Sequence, residues 1–303
     1  MENKRPIIYD CFTFFNELDL LELRFEELYD YVDFFVIVEA NKTHSGKSKP
    51  FILEKNKARY KKYWSKVRYI KVTDMPSFNW FDKPFLKIKS AGPRDIWRKL
   101  SAFGNGHGRW KLEHYQRNAI IRGLKDARDE DIILVSDLDE IINHKKIKEM
   151  KRLLEKEKIV KFDMKLYYYY LNGLSNVSWD AAKACKYKFL RDSLKNKPHF
   201  VRELKDYWRG RFGLLPKPFL IKDGGWHFSY VGGTEIIKEK INAMPHVELI
   251  NSRVIGNVEN RIKKGQFLSG TENIKINYIP IDSSFPQAVL KNKKKWVKFI
   301  KKV

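Results

Sequence analysis

Two aspartates two residues apart, Asp137 and Asp139, follow an apolar run from Ile132 to Val135. The run lacks the polar alternation of a half-exposed strand, which predicts a strand covered on both faces of an α/β sheet. Ligands of such sheets bind outside the carboxyl ends of the strands. If the backbone stays extended, both carboxylates point to one side and Leu138 turns into the core. Paired hard oxygen donors suit Mg²⁺ or Mn²⁺, which complete their shell with water and substrate phosphates.

Glu140 adds a third carboxylate directly after the pair. The bare Asp-x-Asp pattern is weak, because it arises by chance in a chain with 37 acidic residues. Three carboxylates this close repel one another, however, and a bound cation relieves that repulsion. We therefore predict that Asp137 and Asp139 anchor a metal ion and, through it, a diphosphate.

The residues before this acidic motif predict the opening of a nucleotide-binding α/β fold. Ile7 to Phe12 is predicted as a strand, Asn16 as the cap of an amphipathic helix, and Phe34 to Val38 as a second strand. The second strand ends in a polar loop at the sheet edge where ligands bind. A plain hydrogen-bonded turn explains the loop equally well. Three of its residues are placed to touch a nucleotide or a sugar: Glu39, Asn41 and Thr43.

The segment between the loop and the motif contributes a helix with a polar stripe. Residues 51–65 are predicted as a basic helix, Val67 to Val72 as a third strand, and residues 74–110 as an irregular, aromatic flap over the site. A further helix is predicted for residues 112–127. On one of its faces lies a stripe that could hold ribose or phosphate, or could simply be solvated: His114, Arg117 and Asn118.

Downstream of the motif we predict a charged helix from Lys145 to Lys156 and a strand from Val160 to Leu171. Residues 172–222 are expected to be irregular, with Trp179 and Asp180 available to an acceptor. Guanidinium groups suit phosphate oxygens. One of four arginines in this region could therefore contact a diphosphate, and the sequence does not choose among them: Arg191, Arg202, Arg209 and Arg211.

Composition and charge limit the possible partners. The chain carries 61 Lys+Arg against 37 Asp+Glu, a net charge of +24, which favours polyanionic or phosphorylated partners. The lysines are spread along the chain without a recognisable nucleic-acid module, so no specific nucleic acid is expected. The two cysteines do not suggest a disulfide framework. No apolar run reaches the roughly 18 residues of a membrane span. We expect a cytoplasmic protein, peripheral to a membrane at most.

We expect one domain over residues 1–303, with two halves at residues 1–160 and 161–285. Residues 286–303 are predicted as a basic amphipathic helix. Such a helix can lie on an anionic membrane or dock on its own domain.

Five ordered segments resemble glycosyltransferase family 17: Asp10 to Asp19, Val38 to Pro50, Glu113 to Asn118, Ser136 to Ile141 and Gly224 to Tyr230. That family includes the enzyme that adds the bisecting β-1,4-N-acetylglucosamine of N-glycans, and bacterial and viral members. The resemblance implies a glycosyltransferase-A fold, a Rossmann-like, mostly parallel sheet flanked by helices with an irregular acceptor side. In this fold residues 1–160 would form the nucleotide-sugar-binding half and residues 161–285 the acceptor-side half. It also implies a UDP-sugar donor, with UDP-N-acetylglucosamine expected, a divalent metal at the Asp-x-Asp and inversion at the anomeric carbon.

By analogy with transferases of this fold, His227 is expected to be the third metal ligand, since imidazole suits Mn²⁺. An inverting transfer also needs a general base for the acceptor hydroxyl. Glu235 is the first choice, although an acid there also suits a helix start capped by Thr234. Asp180 and Asp223 are the reserves.

The expected acceptor is a glycan or glycolipid. We expect no N-terminal membrane anchor like those of the Golgi members, and an N-glycan acceptor is therefore not the expected one. Two other functions stay open. A nucleotidyl- or phosphotransferase would use the same aspartates and metal, and a non-catalytic nucleic-acid binder would use the positive charge.

Overall fold

The computed structural model describes residues 5–77, 108–204, 215–244, 252–268 and 273–303. Within these ranges, ten strands join into one sheet. The strands are β1 (Ile8–Phe14), β2 (Phe34–Ala40), β3 (Val67–Val72), β4 (Ile132–Asp137), β5 (Glu140–Ile142), β6 (Ile159–Tyr168), β7 (Gly173–Trp179), β8 (Lys183–Lys186), β9 (Phe219–Ser229) and β10 (Ile276–Tyr278).

Helices lie on both faces of this sheet. They are α1 (Leu18–Leu28), α2 (Ile52–Lys55), α3 (described over residues 108–118), α4 (Ile147–Leu153), α5 (Tyr187–Asp192), α6 (Pro198–Glu203), α7 (Thr234–Ala243), α8 (Ser252–Gly256), α9 (Val258–Lys264), α10 (Gln287–Lys291) and α11 (Lys293–Trp296). Short 3₁₀ segments span Lys57–Lys66, Ala119–Gly123, His144–Lys146 and Val297–Phe299.

The strand order is β10-β7-β6-β8-β4-β1-β2-β3, with β9 beside β6 and β5 beside β9. Strands β3, β2, β1 and β4 are parallel, so their carboxyl ends share one edge. Beyond β4, strand β8 runs antiparallel to both β4 and β6, whereas β9 is parallel to β6. This arrangement confirms the predicted α/β class, with a Rossmann-like parallel part flanked by helices.

Strand β4 is covered on both faces, as its unbroken apolar run predicts. Ile132 and Leu134 pack into the core beneath α1, while Ile133 and Val135 pack into the core on the opposite face. All four side chains are buried, and Leu138 turns into the same core as Leu134. Burial on both faces therefore fixes the position of the carboxyl end of β4 at the edge of the sheet.

Several predicted elements differ in detail. Residues 172–222 were expected to be irregular, but this is wrong, since they contain β7, β8, α5, α6 and the start of β9. The pairing of β8 with β4 and of β9 with β5 and β6 joins segments that are distant in sequence, which local pattern does not show. The predicted helix over residues 51–65 is instead α2 followed by a 3₁₀ segment. The helix α1 begins after Glu17, and Asn16 donates its side-chain amide to Glu239 rather than capping it.

The basic C-terminal tail is not one helix, because the backbone leaves helical geometry at Asn292. Its apolar side docks on the domain: Val289 and Trp296 are buried in the core beneath α1. Lys295 pairs with Glu22 and Glu26 of α1 at 2.6 and 2.8 Å. Most of the predicted flap lies outside the described residues, as do Arg209 and Arg211. In the part of the chain that is described, no helix is long and apolar enough to cross a membrane.

Candidate active site

The backbone of the acidic turn is held from behind by Arg24 of α1. Its guanidinium donates to the carbonyl oxygens of Asp137 and Glu140 at 2.8 and 2.9 Å, and to Ser136 Oγ at 2.6 Å. It also forms a fork with Asp10 of β1, whose Oδ2 lies 2.7 Å from Nε. Arg24 and Asp10 are both fully buried. Since β4 ends at Asp137 and a turn follows, Arg24 replaces the sheet partners that the turn lacks.

The carboxylate of Asp137 lies between two guanidinium groups. Arg117 of α3 is 2.8 Å from Oδ1 and Arg202 of α6 is 2.6 Å from Oδ2. Arg202 also forks onto Glu140, whose Oε1 accepts from the indole of Trp179 at 2.5 Å. Burial alone would raise the pKa of Glu140, but the Arg202 guanidinium lowers it to about 2. Burial raises the pKa of Asp137, against the pull of Arg202 and Arg117.

The second aspartate faces a different cation. Asp139 Oδ2 is 2.8 Å from Nζ of Lys240 in α7, and Lys240 also reaches Glu17 at 3.0 Å. Asp139 Oδ1 is 3.5 Å from Nε2 of His227 in β9. Burial opposes ionisation of Asp139, but Lys240 and His227 hold its pKa well below the usual range. Asp137 and Asp139 thus belong to one turn but contact different cations.

The remaining residues of the α3 stripe support α6 rather than touching the acidic turn. His114 pairs with Glu203 at 2.6 Å, and its ring stacks on that of His199 at 4.6 Å. The side-chain oxygen of Asn118 lies 2.8 Å from His199 Nδ1. These contacts fix the helix that carries Arg202.

The loop after β2 lies at the same sheet edge, and its three predicted residues are placed differently. Glu39 is fully buried, where it accepts from Lys49 at 2.6 Å and from two backbone amides at the start of α2. Asn41 Oδ1 is buried with no hydrogen-bond partner among the described residues. Thr43 bonds Ser45 at 2.8 Å and lines a crevice that also contains Asp137. The predicted contacts of these residues with a nucleotide stay predictions.

The crevice lies where the carboxyl ends of β1, β2 and β4 meet. It is lined by Thr13, Phe14, Phe15, Glu17, Lys42, Thr43, His44, Lys49, Gln116, Asp137, Leu138, Ala243 and Met244. Its volume is about 60 Å³. Ligand pockets typically hold about 300–1,000 Å³, so the crevice is smaller than most of them.

The three candidate bases lie apart from one another. Asp180 directly follows Trp179, whose indole ring is 4.9 Å from that of His227, and it pairs with Lys161 at 2.8 Å. Glu235 is 84% exposed on α7 and pairs with Lys238 at 2.9 Å. Asp223 lines a separate cavity of about 320 Å³ with Asn143, Trp226 and Phe285. Of the three, Asp180 is nearest in sequence to a residue that contacts the acidic turn.

The donor atoms that could hold a metal are only partly assembled. Among the residues that the structure describes, no three His, Cys, Asp or Glu side chains form a metal-binding group. Asp139 and His227 do lie together, and His227 Nδ1 is buried without a hydrogen-bond partner in that part of the chain. Mg²⁺ sites commonly use one or two carboxylates and fill the rest with water and phosphates. These side chains therefore fit a divalent cation, with Asp137 as a further donor once it is freed from its arginines.

Sequence reasoning missed three residues of this site: Asp10, Arg24 and Lys240. Each carries a charge at a position where the local pattern requires an apolar residue. Arg24 lies three residues after Leu21 and four before Leu28, on the buried face of α1. Lys240 follows Ile237 by three residues and is equally buried on α7. A charged residue at an apolar position of a helix or strand could have revealed these three residues, because charged side chains are almost never fully buried unless they are paired.

Comparison with known proteins gives one family. Residues 1–91 match the family model described as Glycosyltransferase family 17. No curated protein matches the chain significantly. Two solved structures of S. aureus TarS are similar at 13% identity and a TM-score of 0.37. The match to the structure titled TarS 1-349 covers 84% of this chain and 73% of the TarS chain. The match to the other structure covers 85% of this chain and 42% of the TarS chain. We draw no conclusion about this chain from structural similarity at this TM-score.

The matched residues include β1, α1 and the β2 loop but not the acidic turn. They do include Asp10 and Arg24, which hold that turn from behind. The match over residues 1–91 confirms the resemblance to glycosyltransferase family 17 and, with it, the prediction that this chain is a glycosyltransferase.

Proposed function

We propose that the chain transfers a sugar from a UDP-sugar to a hydroxyl of a glycan or glycolipid, with inversion at the anomeric carbon. UDP-N-acetylglucosamine is the proposed donor, on the family resemblance. Mn²⁺ or Mg²⁺ is the proposed cofactor. The observation that carries the proposal is the acidic turn at the carboxyl end of β4, which borders a crevice and is surrounded by buried cations.

The cations around Asp137 support a diphosphate ligand. Arg117 and Arg202 present guanidinium groups at a buried edge, where they match phosphate oxygens in geometry and charge. The side chain of Asp137 is 33% exposed, whereas those of Arg117 and Arg202 are 5% and 11% exposed, so a diphosphate would reach the arginines from the side of Asp137 and only as their contacts with it rearrange. In this proposal Arg202 stabilises the negative charge that develops on the departing UDP.

Asp139 and His227 would hold the divalent cation, with Asp137 as a further donor. When bound, this cation supplies Lewis-acid stabilisation of the diphosphate leaving group. Arg24 fixes the turn through three backbone contacts, so the carboxylates need little reorganisation when a ligand binds.

Asp180 is the proposed general base in place of Glu235, because it directly follows Trp179. Trp179, its neighbour, is 36% exposed and donates to Glu140, which places the end of β7 beside the acidic turn. An exposed indole face beside a carboxylate suits a sugar ring that stacks on the indole. Asp180 would take the proton of the acceptor hydroxyl as its oxygen attacks the anomeric carbon. Glu235 and Asp223 stay alternatives.

The acceptor is the least specified part of the proposal. Lysines of the C-terminal segment are exposed at positions 291, 293 and 294. They suit peripheral contact with an anionic membrane that carries a lipid-linked acceptor. The two buried free cysteines support a reducing, cytoplasmic compartment.

Release of UDP tests the proposed function. Purified protein is incubated with single UDP-sugars, with Mn²⁺ or with EDTA, and UDP is quantified. We expect metal-dependent release that is greatest with UDP-N-acetylglucosamine and is lost in Asp139→Asn. Asp126→Asn, at an exposed surface pair with Arg68, is the matched control and should keep full activity. Full activity of Asp139→Asn, or equal release with EDTA, would contradict the proposed metal role.

A further inference from the structure

The helix α7 covers the crevice in which the proposed donor would bind. Ala243 and Met244, at its C-terminal end, form one wall of that crevice. The carbonyl of Ala243 accepts from the amide of Ser45 in the β2 loop at 3.2 Å. Glu239 of α7 also accepts from the side-chain amide of Asn16 at 2.9 Å. At about 60 Å³ the crevice is smaller than most ligand pockets, and movement of α7 would enlarge it.

The strongest tie between α7 and the acidic turn is Lys240. Its ammonium is shared by Asp139 at 2.8 Å and Glu17 at 3.0 Å, and all three side chains are at most 8% exposed. Buried ionic contacts of this kind hold two elements together, because removal of one partner leaves an uncompensated buried charge. Lys240 therefore fastens α7 to both the acidic turn and the start of α1.

The same ammonium occupies an oxygen that the proposed metal would use. Asp139 Oδ2 faces Lys240, and Asp139 Oδ1 faces His227. A lysine ammonium and a divalent cation at one carboxylate repel each other, so their binding to Asp139 is mutually opposed. If α7 lifts away, Lys240 and Glu17 both reach water, and neither charge stays buried alone.

The backbone before α7 is suited to such a movement. Gly232 and Gly233 have φ angles of 131° and 90°, which side-chain-bearing residues rarely adopt. A Cβ on Gly233 would meet no atom within 4 Å, so Gly233 itself is not packed against the domain, whereas a Cβ on Gly232 would lie 2.9 Å from Ile236 Cδ1 of α7. The two glycines can therefore act as a hinge.

We propose that Lys240 is a latch: it neutralises Asp139 in the ligand-free protein, and its release frees α7 to uncover the crevice for the metal and the nucleoside diphosphate. The proposal rests on the proposed function, since it assumes that Asp139 binds a divalent cation. It adds a residue and a moving element that the transfer reaction alone does not require.

Affinity for Mn²⁺ tests the latch directly. Mn²⁺ binding is measured by calorimetry for wild type, Lys240→Met and the control Lys238→Met, which changes an exposed lysine of the same helix. We expect Lys240→Met to bind Mn²⁺ more tightly than wild type, by about 5–150-fold, the usual range for coupled sites. Lys238→Met should match wild type. Equal or weaker binding by Lys240→Met overturns the latch.

Hydrogen exchange of wild-type α7 provides a test that needs no variant. Amides of residues 234–243 should exchange faster with Mn²⁺ than with EDTA, while those of β4 stay unchanged. Unchanged or slower exchange of α7 with Mn²⁺ bound overturns the latch and leaves the proposed function intact. If wild type binds neither Mn²⁺ nor UDP, the proposed function fails together with the latch.

Discussion

The two sides of the acidic turn are built differently. Behind it, Arg24 and Asp10 form a fully buried pair that holds the backbone, and neither side chain reaches solvent. In front, Asp137 borders the crevice and contacts Arg117 and Arg202, whereas Asp139 contacts Lys240 at a buried position. The rear contacts hold the backbone of the turn, whereas the front contacts are the ones that a ligand would exchange under the proposed function.

Breaking the buried pair of Arg24 and Asp10 should have the largest effect, which is a loss of stability. Arg24→Ala leaves Asp10 buried and unpaired and removes three contacts to the turn, so we expect a loss of about 3–5 kcal/mol in the free energy of unfolding. Urea denaturation measures it. Arg5→Ala, at an exposed pair with Asp33, should cost at most about 1 kcal/mol. Similar losses for both variants would contradict the distinction between the two sides.

Changing the front should affect activity more than stability. Arg202→Lys keeps the positive charge but loses the fork that reaches Asp137 and Glu140 together, so we expect UDP release to fall by about 100-fold or more. Arg191→Lys is the matched control, because Arg191 pairs with Asp129 and Asp192 at the surface. Equal activity of the two variants would show that Arg202 does not contact the diphosphate.

A smaller effect is expected in the pH dependence of stability, and it arises from Lys183, which supports α6. Lys183 is buried and donates to the carbonyl of Arg202 at 2.7 Å. Burial lowers its pKa from 10.5 to about 8, so between these values the unfolded chain binds more protons than the folded one. Stability should therefore rise with pH across this window, by up to about 3 kcal/mol. Lys183→Met should lack this rise and Lys188→Met should keep it, as measured by urea denaturation at pH 8 and 10.5.

The sequence predicted the front of the site better than the rear. The apolar run of β4 and the position of Asp137 and Asp139 follow from local pattern. Arg24 escaped prediction because its partners in the acidic turn are more than 100 residues away in sequence, and local pattern does not show that this turn packs against α1. The same distance explains why Arg202 could not be chosen among four arginines. The β7 and β8 strands were missed because their pairing depends on β6 and β4, not on their own periodicity.

Binding of UDP is the most direct test of the central claim that the acidic turn holds an activated sugar through its diphosphate. A crystal structure with UDP and Mn²⁺ should show the diphosphate beside Arg202, with the metal on Asp139. Nucleotide bound elsewhere, such as in the cavity lined by Asn143 and Trp226, with Asp139 still on Lys240, would contradict the account.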